Sequence, residues 1–268
     1  MTGVQTCALP IYDLSGAAGN GPGWVIDDWK QLAREFAFRR DAVYLRHRGK
    51  PVVALWGLGF NDRAADLDGW MRLIDFLKTD PEFGGCTVML GVPAFFRTLD
   101  RDCIADPKLH EVIARADIVS PWSVGRFHSP ESSAKHAERT WTLDQAWCRE
   151  RKLEFLPVVF PGFSWHNLQL TRGKNESLAA IPRLGGRFLW SQAVAAKGAG
   201  AEMLYVAMFD EMDEGTAVFK CVNDPPVGAS PFLAEPKQEP DHYLWLTGQI
   251  GRMLNGAIPA TPEPPLRR

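Results

Sequence analysis

The amino-acid sequence predicts an α/β fold of the (β/α)8 TIM-barrel type. Short apolar runs alternate along the chain with longer amphipathic stretches, a pattern typical of parallel strands joined by helical crossovers. The runs are apolar throughout, as expected for strands buried on both faces. No GxGxxG or GxxxxGK[ST] motif follows any of them, so the sequence does not favour an open nucleotide-binding sheet.

About six apolar runs are strand candidates, and they occupy residues 11–16, 51–57, 87–93, 117–123, 154–162 and 203–211. The fifth run is predicted as one strand, with Pro157 inside it as a warning, because proline has no N–H to donate to a neighbouring strand. A complete barrel has eight strands. We therefore expect an incomplete barrel from which the first two β/α units are missing.

Helical periodicity fills most of the segments between these runs. In residues 65–78, apolar side chains recur about every 3.6 positions and would form one buried face. Similar patterns predict further helices over residues 24–38, 107–115, 131–151, 185–198 and 241–254. The alternation of these segments with the strands is what favours parallel pairing.

The two ends of the chain differ from its middle. Residues 1–10, MTGVQTCALP, lack the positive start and apolar core of a secretory signal, and we expect them to be a non-native junction. Residues 257–268 are rich in proline, and we expect a loose tail. Because no internal repeat or compositional break divides the remainder, we expect one barrel domain over residues 11–256.

Composition argues against several kinds of partner. The net charge is −2, which gives no electrostatic case for binding nucleic acid. No apolar stretch approaches the ~20 residues that a membrane-spanning helix needs. The cysteines are scattered without a CxxC pair, and no HxH or HExxH motif occurs, so the sequence predicts neither a metal site nor another cofactor.

Aromatic and polar residues cluster where the predicted strands end, which is where a barrel of this type builds its active site. The candidates are Tyr12, Asp13, Trp56, Trp122, Arg126, Trp165, His166, Asn167 and Asp210. Flat rings stack on the C–H faces of sugars, while polar groups pair with hydroxyls. We therefore expect these residues to bind carbohydrate. The structural alternative is that the rings plug the barrel mouth and that His166 is a loop histidine bonded to backbone.

Residues 203–220, MLYVAMFDEMDEGTAVFK, lead from an apolar strand into a cluster of carboxylates. Glu211 and Glu214 are three residues apart, a spacing that places two side chains on one face of a helical turn. Two carboxyl groups held close together do not both ionise easily, so one retains its proton towards neutral pH. Such a pair can supply a general acid and a general base. An acidic cap at a helix N-terminus is the structural alternative.

The segment FDEMDEGT (209–216) resembles FNEWHEGT of glycoside hydrolase family 99, the endo-α-mannosidases. Other segments are similar to bacterial proteins of the family 71/99-like type, namely YDLSG (12–16), YLRHRGKPVVALWGLGFNDR (44–63), SPWSVGRF (120–127) and PVVFPGFSWHN (157–167). The resemblance extends over about residues 11–254. It implies a TIM barrel and a retaining glycoside hydrolase that acts on a glycan.

By this resemblance, Glu211 would deprotonate the sugar 2-hydroxyl group, whose oxygen attacks C1 to give a 1,2-anhydro sugar. Glu214 would protonate the leaving oxygen and then activate water. The usual retaining scheme differs, because there a carboxylate attacks C1 directly. Asp13 falls where the family has a substrate-contacting glutamate, and Met212 and Asp213 replace a tryptophan and a histidine. The resemblance therefore does not fix the sugar.

Two other functions remain open at this point. The chain could be a carbohydrate-binding barrel without catalytic activity. It could also be a metal-dependent hydrolase, with His166 and the carboxylates after the last predicted strand as ligands.

Overall fold

The computed structural model describes residues 11–14, 21–36, 39, 41–63, 66–224, 226, 228 and 230–267. The expected junction at residues 1–10 lies outside this range. The chain forms two compact units. Unit 1 comprises Met1–Trp122 and Trp147–Phe155, and unit 2 comprises Ser123–Ala146 and Leu156–Arg268.

Unit 1 is built on a mostly parallel sheet with the strand order β1-β3-β4-β5-β6. Its strands are β1 (Ile11–Asp13), β2 (Arg46–His47), β3 (Lys50–Trp56), β4 (Thr87–Pro93), β5 (Ile118–Trp122) and β6 (Glu154–Phe155). The β2 strand pairs antiparallel with β3 in a hairpin, and the other pairs are parallel. Every residue of β4 is buried, as in parallel strands that are covered on both faces.

The helices of the first half of the chain are α1 (Gly23–Phe36), α2 (Leu67–Thr79) and α3 (Lys108–Ile113). Helix α2 begins after Asp66, whose side chain accepts a hydrogen bond from the N–H of Gly69 at 2.8 Å. The predicted apolar face of α2 is its buried face, with Leu73, Ile74 and Leu77 fully buried. Burial of such a stripe, rather than helix propensity alone, stabilises a helix of this length.

Unit 2 contains a two-stranded parallel sheet formed by β7 (Val158–Val159) and β8 (Tyr205–Val206). From Pro130 onward the helices are α4 (Pro130–His136), α5 (Thr142–Glu150), α6 (His166–Thr171), α7 (Arg187–Gly198) and α8 (His242–Leu254). Helix α7 contacts α4, α8 and β7. Phe160 packs against Phe127 and Phe188 at centroid distances of 5.3 Å, and these rings form the core beside α7.

Each predicted apolar run contains an observed strand, and the predicted α/β class is confirmed by parallel strands that alternate with helices. The run at 154–162 is two strands rather than one. Pro157 separates β6 from β7, because it has no N–H to continue a ladder. Its carbonyl is still used, accepting a hydrogen bond from the N–H of Tyr205 at 3.1 Å.

Three segments differ from their predictions. The helix predicted at 131–151 contains a π-helical stretch, Ala137–Trp141, between α4 and α5. Helix α6 (His166–Thr171) lies in a segment for which no helix was predicted. The tail, predicted to be loose, makes specific contacts: Thr261 accepts a hydrogen bond from the indole of Trp190 at 2.8 Å, and Arg267 pairs with both carboxylate oxygens of Asp241. Composition missed these contacts because they depend on residues far along the chain.

In the part of the chain that the structure describes, no helix combines the length and the apolar character needed to cross a bilayer.

Candidate functional site

The acidic loop, residues 210–215, follows β8 in unit 2 and forms a compact turn. The N–H of Met212 donates to the carbonyl of Asp210 at 2.8 Å, and the N–H of Gly215 donates to the carbonyl of Met212 at 3.1 Å. The carbonyl of Glu211 accepts from the N–H groups of Thr216 and Ala217 at 3.1 and 3.0 Å. Glu211 and Glu214 therefore belong to one hydrogen-bonded turn.

The alternative interpretation of these carboxylates as a helix cap is wrong. No helix begins among residues 211–224, which run as turns and irregular backbone. A capping role requires orphan N–H groups at a helix start, and this segment offers none. The acidic residues thus need another explanation.

The carboxyl group of Glu214 is partly buried, whereas Glu211 is exposed. Burial raises the pKa of Glu214, and the negative charges of Glu211 and Asp213 raise it further. Burial is the larger of these causes, and the two neighbouring charges add to it. A carboxyl group with a raised pKa retains its proton at higher pH, as a general acid must.

Other segments of unit 2 contact Glu214 and the residues directly before and after it. The N–H of Ser164 donates to the Glu214 carbonyl at 2.7 Å. The guanidinium group of Arg183 donates to the next carbonyl, that of Gly215, at 2.9 and 3.0 Å. The side-chain amide of Asn167 donates to the carboxylate of Asp213 at 2.7 Å. The position of Glu214 is therefore fixed by residues distant in sequence.

The SWHN segment, residues 164–167, contains both Ser164, whose N–H contacts the Glu214 carbonyl, and the exposed ring of Trp165. Trp165 is 37% exposed, and its ring lies 4.4 Å from that of Phe163, at 53° between planes. An indole that packs against a neighbouring ring and remains partly open to water is suited to stacking on the face of a sugar. The segment begins α6 rather than an irregular loop.

His166 and Asn167 are engaged by protein groups. The Nδ1 atom of His166 lies 2.5 Å from the carbonyl oxygen of Glu176, as in the loop-histidine alternative. Asn167 is buried and donates to the carbonyl of Pro231 at 3.0 Å as well as to Asp213. We therefore assign Asn167 to the support of the site, while contact of His166 with substrate stays a prediction. Arg126 and Asp210 are exposed in the same unit.

In unit 1, three candidates lie at the carboxyl-terminal ends of parallel strands. Asp13 ends β1 and is paired with Trp56, which ends β3. Trp56 contacts Trp122, the last residue of β5, edge to face at a centroid distance of 5.2 Å. A Cβ atom on Gly91 would lie 1.9 Å from the ring of Trp56, so the indole occupies space that only glycine leaves. This strand edge carries a carboxylate beside two indoles.

Tyr12 does not join this group. Its side chain is buried, and its hydroxyl donates to the carboxylate of Asp28 in α1 at 2.6 Å. Burial first, and then this hydrogen bond, raise the pKa of Tyr12. Successive residues of a strand face opposite sides, so Tyr12 and Asp13 point in opposite directions. The prediction that Tyr12 binds substrate is therefore corrected.

The remaining candidates are grouped within each unit: Asp13, Trp56 and Trp122 in unit 1, and Arg126, Trp165, His166, Asn167, Asp210, Glu211 and Glu214 in unit 2. That they line a single cleft stays a prediction. Within the described ranges, no group of three or more His, Cys, Asp or Glu side chains is arranged to hold a metal ion.

Sequence reasoning missed Ser164 and Arg183 as supports of the acidic loop. Ser164 acts through its backbone N–H, which any residue except proline supplies. Arg183 stands alone in the segment IPRLGG, with no motif or spacing to mark it. Both contacts arise from tertiary structure.

Comparisons with known proteins support the resemblance inferred from the sequence. No protein-family profile matches the chain. A curated relative, the "Glycoprotein endo-alpha-1,2-mannosidase-like protein" of Danio rerio, is 28% identical over 127 residues. The match covers 45% of this chain and 26% of the relative. The chain therefore spans about a quarter of the length of that relative.

Two solved structures of the family 99 endo-alpha-mannosidase of Bacteroides thetaiotaomicron have a similar fold. The TM-scores are 0.65 for its complex with bis-tris-propane and 0.67 for the second structure, at 19% and 17% sequence identity. Both matches cover 94% of this chain, and they cover 70% and 66% of the solved chains. The predicted TIM-barrel class is confirmed, as is the resemblance to family 99.

Proposed function

We propose that this chain acts as a glycoside hydrolase on a glycan, with Glu211 and Glu214 as its catalytic pair. The observation that carries the proposal is the raised pKa of the partly buried Glu214, caused by burial and by the neighbouring charge of Glu211. Two carboxyl groups of unequal proton affinity are what glycosidic bond cleavage requires. The similarity in sequence and fold to family 99 proteins supports the same chemistry.

In this proposal Glu214 begins the reaction protonated and transfers its proton to the oxygen of the leaving sugar. Glu211 removes the proton of the 2-hydroxyl group, and the freed oxygen forms a bond to C1 as the glycosidic bond breaks. The product of this step is a 1,2-anhydro sugar. Glu214, now ionised, takes one proton from a water molecule as the water oxygen attacks C1 and opens the three-membered ring. Glu211 returns to the 2-oxygen the proton that it removed in the first step, so both carboxyl groups regain their starting states. Two inversions at C1 leave its configuration retained.

We assign the binding of sugar to the aromatic and polar groups at the ends of the strands. Trp165, supported by Phe163, would stack on a sugar face in unit 2. Arg126 and Asp210 are exposed polar groups that would pair with hydroxyls. Asp13, Trp56 and Trp122 provide a carboxylate and two indoles in unit 1. The names of the relatives make α-linked mannans the first substrates to test, and other α-linked glycans the next.

The test is to replace each catalytic carboxyl group by an amide of the same shape. We expect Glu211→Gln and Glu214→Gln each to lower kcat by about 10²-fold or more against a panel of α-linked aryl glycosides and glycans. Glu202→Gln, at an exposed position of unit 2, is the matched control and should retain full activity. NMR of the first-formed product should show a retained anomer. Undiminished turnover by both variants would exclude the proposal.

A carbohydrate-binding protein without catalysis is the second candidate, and the exposed indole of Trp165 favours it. Calorimetry that shows glycan binding, with no product after prolonged incubation, would support this function over hydrolysis. The metal-dependent alternative is weaker, because no group of three or more His, Cys, Asp or Glu side chains among the described residues is arranged to hold a metal ion. Activity that survives chelation would exclude it.

A further inference from the structure

Arg183 is an arginine of unit 2 whose guanidinium group is directed at the backbone of the acidic loop. Its Nε and Nη2 atoms donate to the carbonyl of Gly215 at 3.0 and 2.9 Å, and Nη2 also donates to the carbonyl of Ala217 at 2.6 Å. The side chain is only 11% exposed. Hydrogen bonds from a charged donor are stronger than those between neutral groups, and a forked donor fixes geometry as well.

The surroundings compensate the buried positive charge. The guanidinium carbon lies 4.3 Å from the centre of the Tyr243 ring, and Nη1 lies 4.0 Å from the carboxylate of Glu235. The Tyr243 hydroxyl donates to that same carboxylate. An aromatic face and a carboxylate both stabilise a cation removed from water. Arg183 is thus held in one place rather than free to sample several rotamers.

The backbone just before Arg183 is hydrogen-bonded to the segment that precedes Trp165. Ile181 and Phe163 exchange N–H and carbonyl hydrogen bonds at 2.9 and 3.0 Å. A Cβ atom on Gly162 would lie 2.6 Å from Cγ of Arg183 and 2.8 Å from the carbonyl oxygen of Ile181. The absence of a side chain at Gly162 therefore leaves the space through which the arginine reaches the acidic loop.

We infer that Arg183 is a positioning residue for Glu214, an inference that rests on the proposed function. Gly215 directly follows Glu214, so the guanidinium group fixes the peptide after the catalytic carboxyl, while Ser164 fixes the Glu214 carbonyl itself at 2.7 Å. Arg183 contacts backbone carbonyls and does not need to touch substrate. Its contribution is to keep the carboxyl of Glu214 in its partly buried place.

Removal of the guanidinium group has a specific consequence. Gly215 and Ala217 are buried, and their carbonyls would lose these donors. The loop would relax and Glu214 would become more accessible to water, which lowers the pKa of a carboxyl group previously raised by burial. A misplaced catalytic group lowers kcat, whereas the residues assigned to sugar stacking are untouched and KM should change little.

The experiment compares Arg183→Ala and Arg183→Lys with Arg187→Ala, an exposed arginine at the start of α7. We expect Arg183→Ala to lower kcat by about 10²-fold with KM within about threefold, and to move the alkaline limb of the kcat profile to lower pH. Lysine keeps the charge but not the fork, so Arg183→Lys should recover only part of kcat. Arg187→Ala should match the wild type.

Chemical rescue is a further test, because added guanidinium should restore kcat only if the missing group itself positions the loop. A cavity of about 50 Å³ lies beside Arg183 and is lined also by Met212, Gly215 and Ala217. Truncation to alanine enlarges it, so guanidinium chloride at non-denaturing concentration should restore kcat in Arg183→Ala, whereas sodium chloride at the same ionic strength should not. Lack of rescue, combined with a loss expressed only in KM, would overturn the inference.

Hydrogen exchange separates this inference from the proposed function. Peptides covering residues 208–218 should exchange faster in both Arg183 variants, while those of α7 keep their protection. If the wild type cleaves no glycan, the proposed function fails, but the exchange comparison still tests the hold of Arg183 on the loop. If Arg183→Ala does not fold, Arg183→Lys decides. Unchanged exchange and unchanged kcat in the folded variant would refute the assignment.

Discussion

The backbone N–H of Ser164 donates to the carbonyl oxygen of Glu214 at 2.7 Å. This single contact joins the acidic loop to the segment that presents the exposed ring of Trp165. A sugar stacked on Trp165 would therefore contact a segment that is hydrogen-bonded directly to the backbone of Glu214. Binding and acid catalysis would then be supported by the same part of unit 2.

The raised pKa of Glu214 predicts how the stability of the protein depends on pH. The ordinary value is 4.5, and the folded value is higher because burial and nearby charge disfavour ionisation. The cost to folding is therefore absent below the unfolded pKa, grows as the pH rises, and is complete above the folded pKa. We expect Glu214→Gln to raise Tm at pH 7–8 and to leave Tm nearly unchanged near pH 4.

Thermal unfolding followed by circular dichroism across this pH range is the measurement. Glu202→Gln, exposed in the same unit, is the control and should give a curve parallel to that of the wild type. A lower Tm for Glu214→Gln at neutral pH would show that ionised Glu214 stabilises the fold, contrary to this account.

The charge of Asp213 predicts the position of the alkaline limb of activity. Activity should fall as the pH rises through the raised pKa of Glu214, because a general acid must be protonated. Asp213→Asn removes one of the charges that raise this pKa but keeps an oxygen to accept the hydrogen bond from Asn167. The limb should therefore move to lower pH, as measured by kcat against pH.

Asp224→Asn is the corresponding control, at an exposed carboxylate outside the acidic loop. It should leave the limb in place. A limb that moves equally in both variants would reflect general charge rather than a local interaction with Glu214.

Two glycines with positive φ allow the cost of backbone strain to be measured separately from the cost of steric contact. Gly215 has φ +64, and a Cβ atom there would lie 3.2 Å from Cδ2 of Leu233 and 3.3 Å from Cβ of Ser164. Gly173 has φ +69, with nothing within 4 Å of the same position. We expect Gly173→Ala to cost about 1–2 kcal/mol of unfolding free energy from the backbone alone. Gly215→Ala should cost more, and it should also lower activity.

Urea unfolding and turnover of the two variants give the comparison. Equal costs, with equal activity, would mean that the acidic loop adapts to a side chain at Gly215 and is less constrained than its contacts indicate.

The exposed ring of Trp165 predicts a loss of glycan binding. The ring is 37% exposed, and an aromatic stacking contact contributes about 0.5–1.5 kcal/mol beyond area burial. We expect Trp165→Ala to weaken glycan binding about tenfold by calorimetry, and to lower Tm because the buried ring of Phe163 loses its neighbour. Trp24→Ala, at a ring 41% exposed in unit 1, should leave affinity unchanged. Equal affinity of both variants would contradict a binding role.

Much of the fold was predictable because its signals are local. Apolar runs marked the strands, although the run at 154–162 was predicted as one strand and is divided at Pro157. The failure at α6 has a local cause too: six residues, HNLQLT, are too few to show a helical period. Tyr12 was wrongly grouped with Asp13 because both residues lie at the end of β1. Adjacent residues of a strand face opposite sides, and Tyr12 faces Asp28 in α1.

The site was predictable only where its residues are contiguous. Glu211 and Glu214 stand in one motif, so their place in one turn followed from their spacing, while their catalytic role stays a prediction. The pairing of Asn167 with Asp213 and of Arg183 with Gly215 joins residues far apart in sequence, and neither partner carries a pattern. Such contacts are set by how the segments of unit 2 pack, which a single sequence does not specify.

The hydrogen bonds that close the turn at 210–215 use peptide groups rather than side chains. Every amino acid except proline offers the same donor and acceptor, so the identity of Met212 has little influence on where Glu214 stands. Substitution at Met212 is therefore compatible with an unchanged backbone at Glu214, and the loop can accept sequence variation at that position without rebuilding its turn.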